Sequence, residues 1–214
     1  MLVIFDWDGT LCDSTGRIVE AMQQAARTCD IPVPSPAAVR NVIGLGLPEA
    51  LAELFPGQTP LQRETVRASY TEHFLTLDKV PSGLFPDAMK VMESLRERGH
   101  ALAVATGKGR AGLDRILGGL NLGDHFDATR CADETRSKPH PQMVHELLAE
   151  LATPAAEAVV IGDSEYDLQM AAAAGVASIG VSWGVHDVER LSRQRPLEVV
   201  HRFADLLECR VLSQ

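Results

Sequence analysis

Short apolar runs recur along the chain: "LVIF" (2–5), "ALAVAT" (101–106), "AVVIG" (158–162) and "ASIGVSW" (177–183). Runs this short, apolar at successive positions, suit strands buried on both faces, as in a parallel sheet covered by helices. Between them the pattern shifts to helical spacing, over Ala88–Arg98, stopped at Gly99, and over Pro141–Leu151. The alternation predicts an α/β fold with a doubly wound, Rossmann-like parallel sheet. Such sheets bind ligands at the carboxyl ends of their strands.

One region breaks the alternation. Ile18, Met22, Ala25 and Cys29 recur at helical spacing, and Val66, Tyr70, Phe74 and Leu77 do so again. Only the short "VRNVIGLGL" between them could be read as a strand. A stretch of about 65 residues is too long for a loop, so residues 16–80 are expected to form a small inserted helical domain. Its exit, "KVPSGLFPD", has the Pro and Gly content of a linker. The core is then expected to comprise residues 1–15 and 81–214.

Composition narrows the classes of function. Of 214 residues, 45% are hydrophobic and 23% charged, the profile of an ordinary globular protein. The net charge of −9, from 29 acidic against 20 basic side chains, argues against nucleic acid or an anionic membrane as main partner. Cys12, Cys29, Cys131 and Cys209 are scattered without a Cys-x-x-Cys pair, so reduced thiols and a cytoplasmic location are expected. No run approaches the roughly 18 apolar residues of a membrane span, and no obligate protein partner is evident.

The candidate chemistry lies where the predicted strands end. In "VIFDWDGTLCD", Asp6 and Asp8 are two residues apart and start out on one face of a strand. Carboxylates so placed raise each other's pKa unless a cation or proton lies between them. Gly9 follows, where the chain must turn sharply. "VATGKGR" ends a strand at Thr106 and Gly107 and opens a helix, a turn that suits phosphate. "RSKPHP" supplies Lys138, and "VVIGDSEYD" supplies Asp163 with Asp167 four residues on. Taken singly, Asp163 could be a helix cap, Thr106–Gly107 an ordinary turn and Lys138 a surface lysine. Taken together, four carboxylates, a hydroxyl and an amine at one sheet edge describe an oxygen-ligand site of the Mg²⁺ type beside a phosphate pocket.

"DWDGT", "ATG", "SKPHP" and "GDSEYD", in this order, resemble the four motifs of the haloacid dehalogenase-like superfamily, over residues 3 to about 184. The helical insert after the first motif resembles a C1-type cap. "GRAGLDRIL" and "DLQMAAAAGV" are most similar to the phosphoglycolate phosphatase group. The resemblance implies that Asp6 attacks phosphorus and becomes an aspartyl-phosphate, while Asp8 protonates the leaving oxygen and then activates water. It implies that Mg²⁺ is held by Asp6, the Asp8 backbone carbonyl and Asp163, with Asp167 acting directly or through water. Thr106 and Lys138 would bind phosphoryl oxygens, and backbone N–H groups near Gly9 could face them too. The carboxylate at Asp8 favours phosphate esters over halides, since a halide leaves without a proton. The absence of lysine between Gly16 and Asp78 argues against a phosphonatase, which would need a Schiff-base lysine in the cap.

The expected substrate is a small-molecule phosphate ester, 2-phosphoglycolate first, with sugar phosphates, nucleotides, pyrophosphate or a phosphomutase reaction as alternatives. A phospho-acceptor signalling domain or a binding module is the alternative from another class. Within the insert, Arg40–Leu51 is the candidate loop that meets the active site, with Arg40 able to pair with a substrate carboxylate. The competing reading, which the pattern slightly favours, is a helix–helix connection with a solvated Arg40.

Overall fold

The computed structural model describes residues 1–79 and 82–213. Six strands form one parallel sheet: β1 (Leu2–Phe5), β2 (Ala101–Thr106), β3 (Ala128–Cys131), β4 (Ala158–Gly162), β5 (Ala177–Val181) and β6 (Glu198–Val200). Their order across the sheet is β3-β2-β1-β4-β5-β6. Strand β1 is central, and all four of its side chains are fully buried, each burial contributing about 1.5–3 kcal/mol. The four apolar runs all became strands. The short edge strands β3 and β6 were not legible, because "ATRC" and "EVV" carry polar residues and cannot show the continuous apolar run of a buried strand.

The helices are α1 (Thr15–Thr28), α2 (Pro36–Val42), α3 (Leu47–Leu54), α4 (Pro60–Leu77), α5 (Ala88–Glu97), α6 (Arg110–Gly119), α7 (Gln142–Glu150), α8 (Glu165–Ala173) and α9 (Val188–Ser192). Alternation along β1 separates two cores. Val3 and Phe5 pack with Trp7, with Val91, Met92 and Leu95 of α5, and with Leu113 and Ile116 of α6. Leu2 and Ile4 face Met143, Val144 and Leu147 of α7 and Met170 and Ala171 of α8. Trp7 thus points away from its aspartate neighbours, as the strand period requires.

Helices α1 to α4 surround a third cluster that includes Ile18, Met22, Ala25, Val39, Leu51, Val66 and Phe74. Proline at the first or second position begins α2, α3 and α4. A capping box between Thr59 and Gln62 starts α4. "VRNVIGLGL" is helix and turn rather than strand, with Val39–Val42 in α2 and Ile43–Gly46 linking it to α3. The expected division between residues 80 and 81 lies outside the described residues. No helix is long and apolar enough to cross a membrane among the described residues.

Candidate active site

Parallel register brings the site together. Phe5 aligns with Val104 on one side and Ile161 on the other. The chain beyond Phe5 therefore emerges beside the ends of β2 and β4, where Thr106 and Asp163 stand. At Gly9 the backbone has φ +90°, and a Cβ there would lie 2.3 Å from an Asp163 carboxylate oxygen. Only glycine accepts both the turn and the contact.

Asp6, Asp163 and Asp167 are buried with one carboxylate oxygen of each within 4.8 Å of the others. Lys138 Nζ donates to Asp6 Oδ1 and Asp167 Oδ1, at 2.6 Å each. Asp163 Oδ1 accepts from Thr10 Oγ1 at 2.7 Å, and its Oδ2 accepts from the Val185 N–H at 2.8 Å. Asp167 Oδ2 accepts from Ser164 Oγ and N–H, which closes the capping box of α8. The helix-cap role and the cluster role are therefore carried by different oxygens of one carboxylate.

Burial pushes the Asp6 carboxyl well above the ordinary range; Lys138 opposes this, and the Asp167 and Asp163 charges add to it. Burial and Asp167 likewise raise the Asp163 pKa to about 7, against Thr10, Val185 and Lys138. Burial alone would lower the Lys138 pKa, but Asp167 and Asp6 outweigh it and keep the amine charged. One ammonium thus faces three carboxylates. Asp6 Oδ2 is buried and has no hydrogen-bond partner. An orphaned carboxylate oxygen inside an all-oxygen cluster fits a hard divalent cation.

Asp8 belongs to a second arrangement. Its Oδ1 accepts from Ser14 Oγ at 2.5 Å and from Lys108 Nζ at 2.8 Å, and its Oδ2 accepts from Lys108 at 2.9 Å. Lys108 Nζ also sits 5.0 Å from the centroid of the Phe74 ring of α4. Sequence reasoning passed over Lys108. The available signal was the spacing of Lys108, two residues beyond Thr106 on the same strand-end turn.

A cavity of about 770 Å³ opens above these groups, and Asp6, Asp8, Thr106, Gly107 and Lys108 line it. Backbone donors of the turn that opens α6 are partly taken. The Lys108 N–H donates to Thr106 Oγ1, and the Arg110 N–H donates to Asp133. Arg40 corrects an expectation more fully: it is exposed on α2 and does not line the cavity, whereas Arg67 of α4 and Arg115 of α6 do. Helix α2 turns Val39 and Val42 inward and so points Arg40 to solvent.

The Ile43–Gly46 turn does meet the strand ends. A Cβ on Gly107 would lie 2.4 Å from the Leu45 carbonyl oxygen, so glycine permits the close approach. The Gly46 N–H donates to Ser137 Oγ, and Tyr166 of α8 donates to the Asn41 carbonyl. Trp183 packs on Phe85 and Phe203 and donates to the Thr10 carbonyl, so its role is structural.

Comparison with known proteins follows the same lines. The family model for "Haloacid dehalogenase-like hydrolase" matches residues 3–181. The chain is similar to "Probable phosphatase IndB" of Dickeya dadantii, with 34% identity over 212 residues, covering 96% of this chain and 91% of that protein. It is similar to "Phosphoglycolate phosphatase" of Pectobacterium atrosepticum, with 30% identity over 208 residues, covering 95% and 89%. The crystal structure of a hydrolase from Pseudomonas syringae superposes with a TM-score of 0.87 at 25% identity, covering 97% of this chain and 96% of that one.

Proposed function

The chain belongs to the haloacid dehalogenase-like hydrolases and is a phosphatase of that family, and from this premise we propose that it hydrolyses a small-molecule phosphomonoester with Asp6 as nucleophile and Asp8 as acid and base. The observation that carries the reading is the separation of two carboxylates only two residues apart. Asp6 lies with Lys138, Asp163 and Asp167, while Asp8 is held apart by Lys108 and Ser14. Carboxylates in different surroundings can take different jobs.

In the first step an Asp6 oxygen attacks phosphorus and the bond to the ester oxygen breaks. Asp8 delivers a proton to that oxygen, and the alcohol leaves. In the second step Asp8 takes a proton from water, whose oxygen attacks the aspartyl-phosphate and regenerates Asp6 with release of phosphate. Lys138 orients Asp6 through Oδ1 and offsets charge on the phosphoryl oxygens, with Thr106 as a further donor to them. A divalent cation, proposed as Mg²⁺ held by Asp6, Asp163, Asp167 and the Asp8 backbone carbonyl, would offset carboxylate repulsion and neutralise phosphoryl charge.

The α1–α4 unit is proposed as the cap over the cavity. Relatives named phosphoglycolate phosphatase make 2-phosphoglycolate the reference ester. The four free cysteines support a cytoplasmic setting. The test is phosphate release from a panel of esters with Mg²⁺, with EDTA, and with Asp6→Asn as blank. Release that stops with EDTA, returns with Mg²⁺ and is absent in the blank supports the reading. Release undiminished in Asp6→Asn removes Asp6 as nucleophile.

A further inference from the structure

The floor of the cavity is charged, whereas the wall opposite it is largely apolar, its charges being the paired Glu64 and Arg67 of α4. Ile18 and Met22 of α1, Val42 of α2, Ile43 after it, and Phe74 and Leu75 of α4 face the space above Asp6 and Asp8. Leu45 and Leu75 line the cavity and belong to none of the three apolar clusters of the fold. Leu75 is 48% exposed. Apolar side chains placed against a cavity and outside every core lose contact with water only when the cavity is filled.

Size and charge point the same way. A volume of about 770 Å³ falls within the roughly 300–1,000 Å³ that encloses drug-sized ligands, far more than a two-carbon acid fills. Three cations line the cavity, and each is engaged by a carboxylate. Lys108 is held by Asp8, Arg115 by Asp78, and Arg67 through two hydrogen bonds by Glu64. A carboxylate on the organic part of a substrate would therefore share a cation that already faces a carboxylate of the protein.

Resting on the phosphatase reading above, we infer that the ester hydrolysed carries an extended apolar alcohol, an alkyl chain or aromatic ring, in place of a short carboxylated one. The phosphoryl group lies against Asp6, Thr106 and Lys138, and the organic group extends along the wall past Leu45, Phe74 and Leu75. Transfer of this group out of water adds to the stabilisation of the transition state in proportion to the apolar area covered.

The test measures phosphate release from acetyl phosphate, ethyl phosphate, hexyl phosphate and 2-phosphoglycolate with Mg²⁺, with Asp6→Asn as blank. Ethanol and hexanol are leaving groups of similar basicity, so the hexyl-to-ethyl ratio of kcat/KM reports contact with the organic group alone. At about two- to fourfold per methylene the expected ratio lies between roughly 15 and 250, and hexyl phosphate is preferred to 2-phosphoglycolate. Leu45→Gln and Leu75→Gln put an amide on the wall and are each expected to lower that ratio at least threefold. The ratio does not depend on how much of a variant folds.

A wild-type ratio near one, or preference for 2-phosphoglycolate, with acetyl phosphate still hydrolysed, overturns the substrate inference and leaves phosphoryl transfer standing. Ratios unmoved by both variants overturn the proposed placement of the organic group. Silence of the wild type toward acetyl phosphate and every ester overturns the phosphatase reading itself.

Discussion

The two sides of the cavity are built on opposite principles. The floor packs Asp6, Asp163, Asp167 and Lys138 into a buried cluster, in which each charged atom but one is held by a hydrogen bond. The facing wall is largely apolar apart from the Glu64–Arg67 pair, comes from α1, α2 and α4 with their connections, and meets the floor through Lys108, Gly107 and Asp78. In the proposed reaction the floor handles the group common to all phosphate esters, which requires its charges to be already in place. In the same proposal the wall handles what differs between esters, through apolar contact. A change to the floor should therefore act on chemistry, and a change to the wall on selection or closure.

The largest effect expected is on the floor. Asp8→Asn keeps the shape of the side chain and removes its ability to exchange a proton, so kcat should fall by about 10²–10⁴. Mg²⁺-induced thermal stabilisation should persist, because the Asp8 carboxylate lies outside the three-carboxylate cluster. Loss of the Mg²⁺ shift together with kcat would merge the two arrangements into one.

The next effect lies where wall and floor join. Asp78, just after α4, accepts hydrogen bonds from Arg115 of α6 and Arg17 of α1, and its side chain is fully buried. Asp78→Asn should destabilise the fold by about 2–4 kcal/mol in urea unfolding, a value reduced because both arginines are partly solvated. Burial would raise the Asp78 pKa, but Arg115 and Arg17 outweigh it and hold the carboxyl below its ordinary value. The stabilisation is therefore complete above the unfolded pKa, about 3.9, and is lost as pH falls through the lower folded value. A wild type and an Asp78→Asn variant that still differ equally below that range would contradict this account.

Gly107→Ala should act on closure. The new Cβ meets the Leu45 carbonyl oxygen at 2.4 Å, and the Ile43–Gly46 turn must retreat at about 1–3 kcal/mol. KM for the preferred ester should rise severalfold with a smaller change in kcat. An unchanged KM would mean that the turn does not govern binding. Arg40→Ala is the smallest: with the side chain in solvent, kcat/KM should stay within about twofold for carboxylated and neutral esters alike. A larger change confined to carboxylated esters would return Arg40 to the site.

The sequence alone determined the central sheet and most of the floor. Nearly continuous apolar runs identify β1, β2, β4 and β5, because a strand buried on both faces is built mostly from apolar residues. Asp6, Thr106 and Asp163 could be read because parallel strands bring their carboxyl ends to one edge. The tertiary structure alone decided the partners. Lys108 reaches Asp8 from 100 residues away, and its place two residues beyond Thr106 does not by itself name that partner. Arg40 and Arg67 look alike as helix residues, and only the packing of α2 and α4 sends one to solvent and the other to the cavity. The wall was out of reach for the same reason. Ile18, Met22 and Phe74 have the spacing of core residues whether they face another helix or an empty space, and the difference between those environments exists only once the helices have packed against the strand ends.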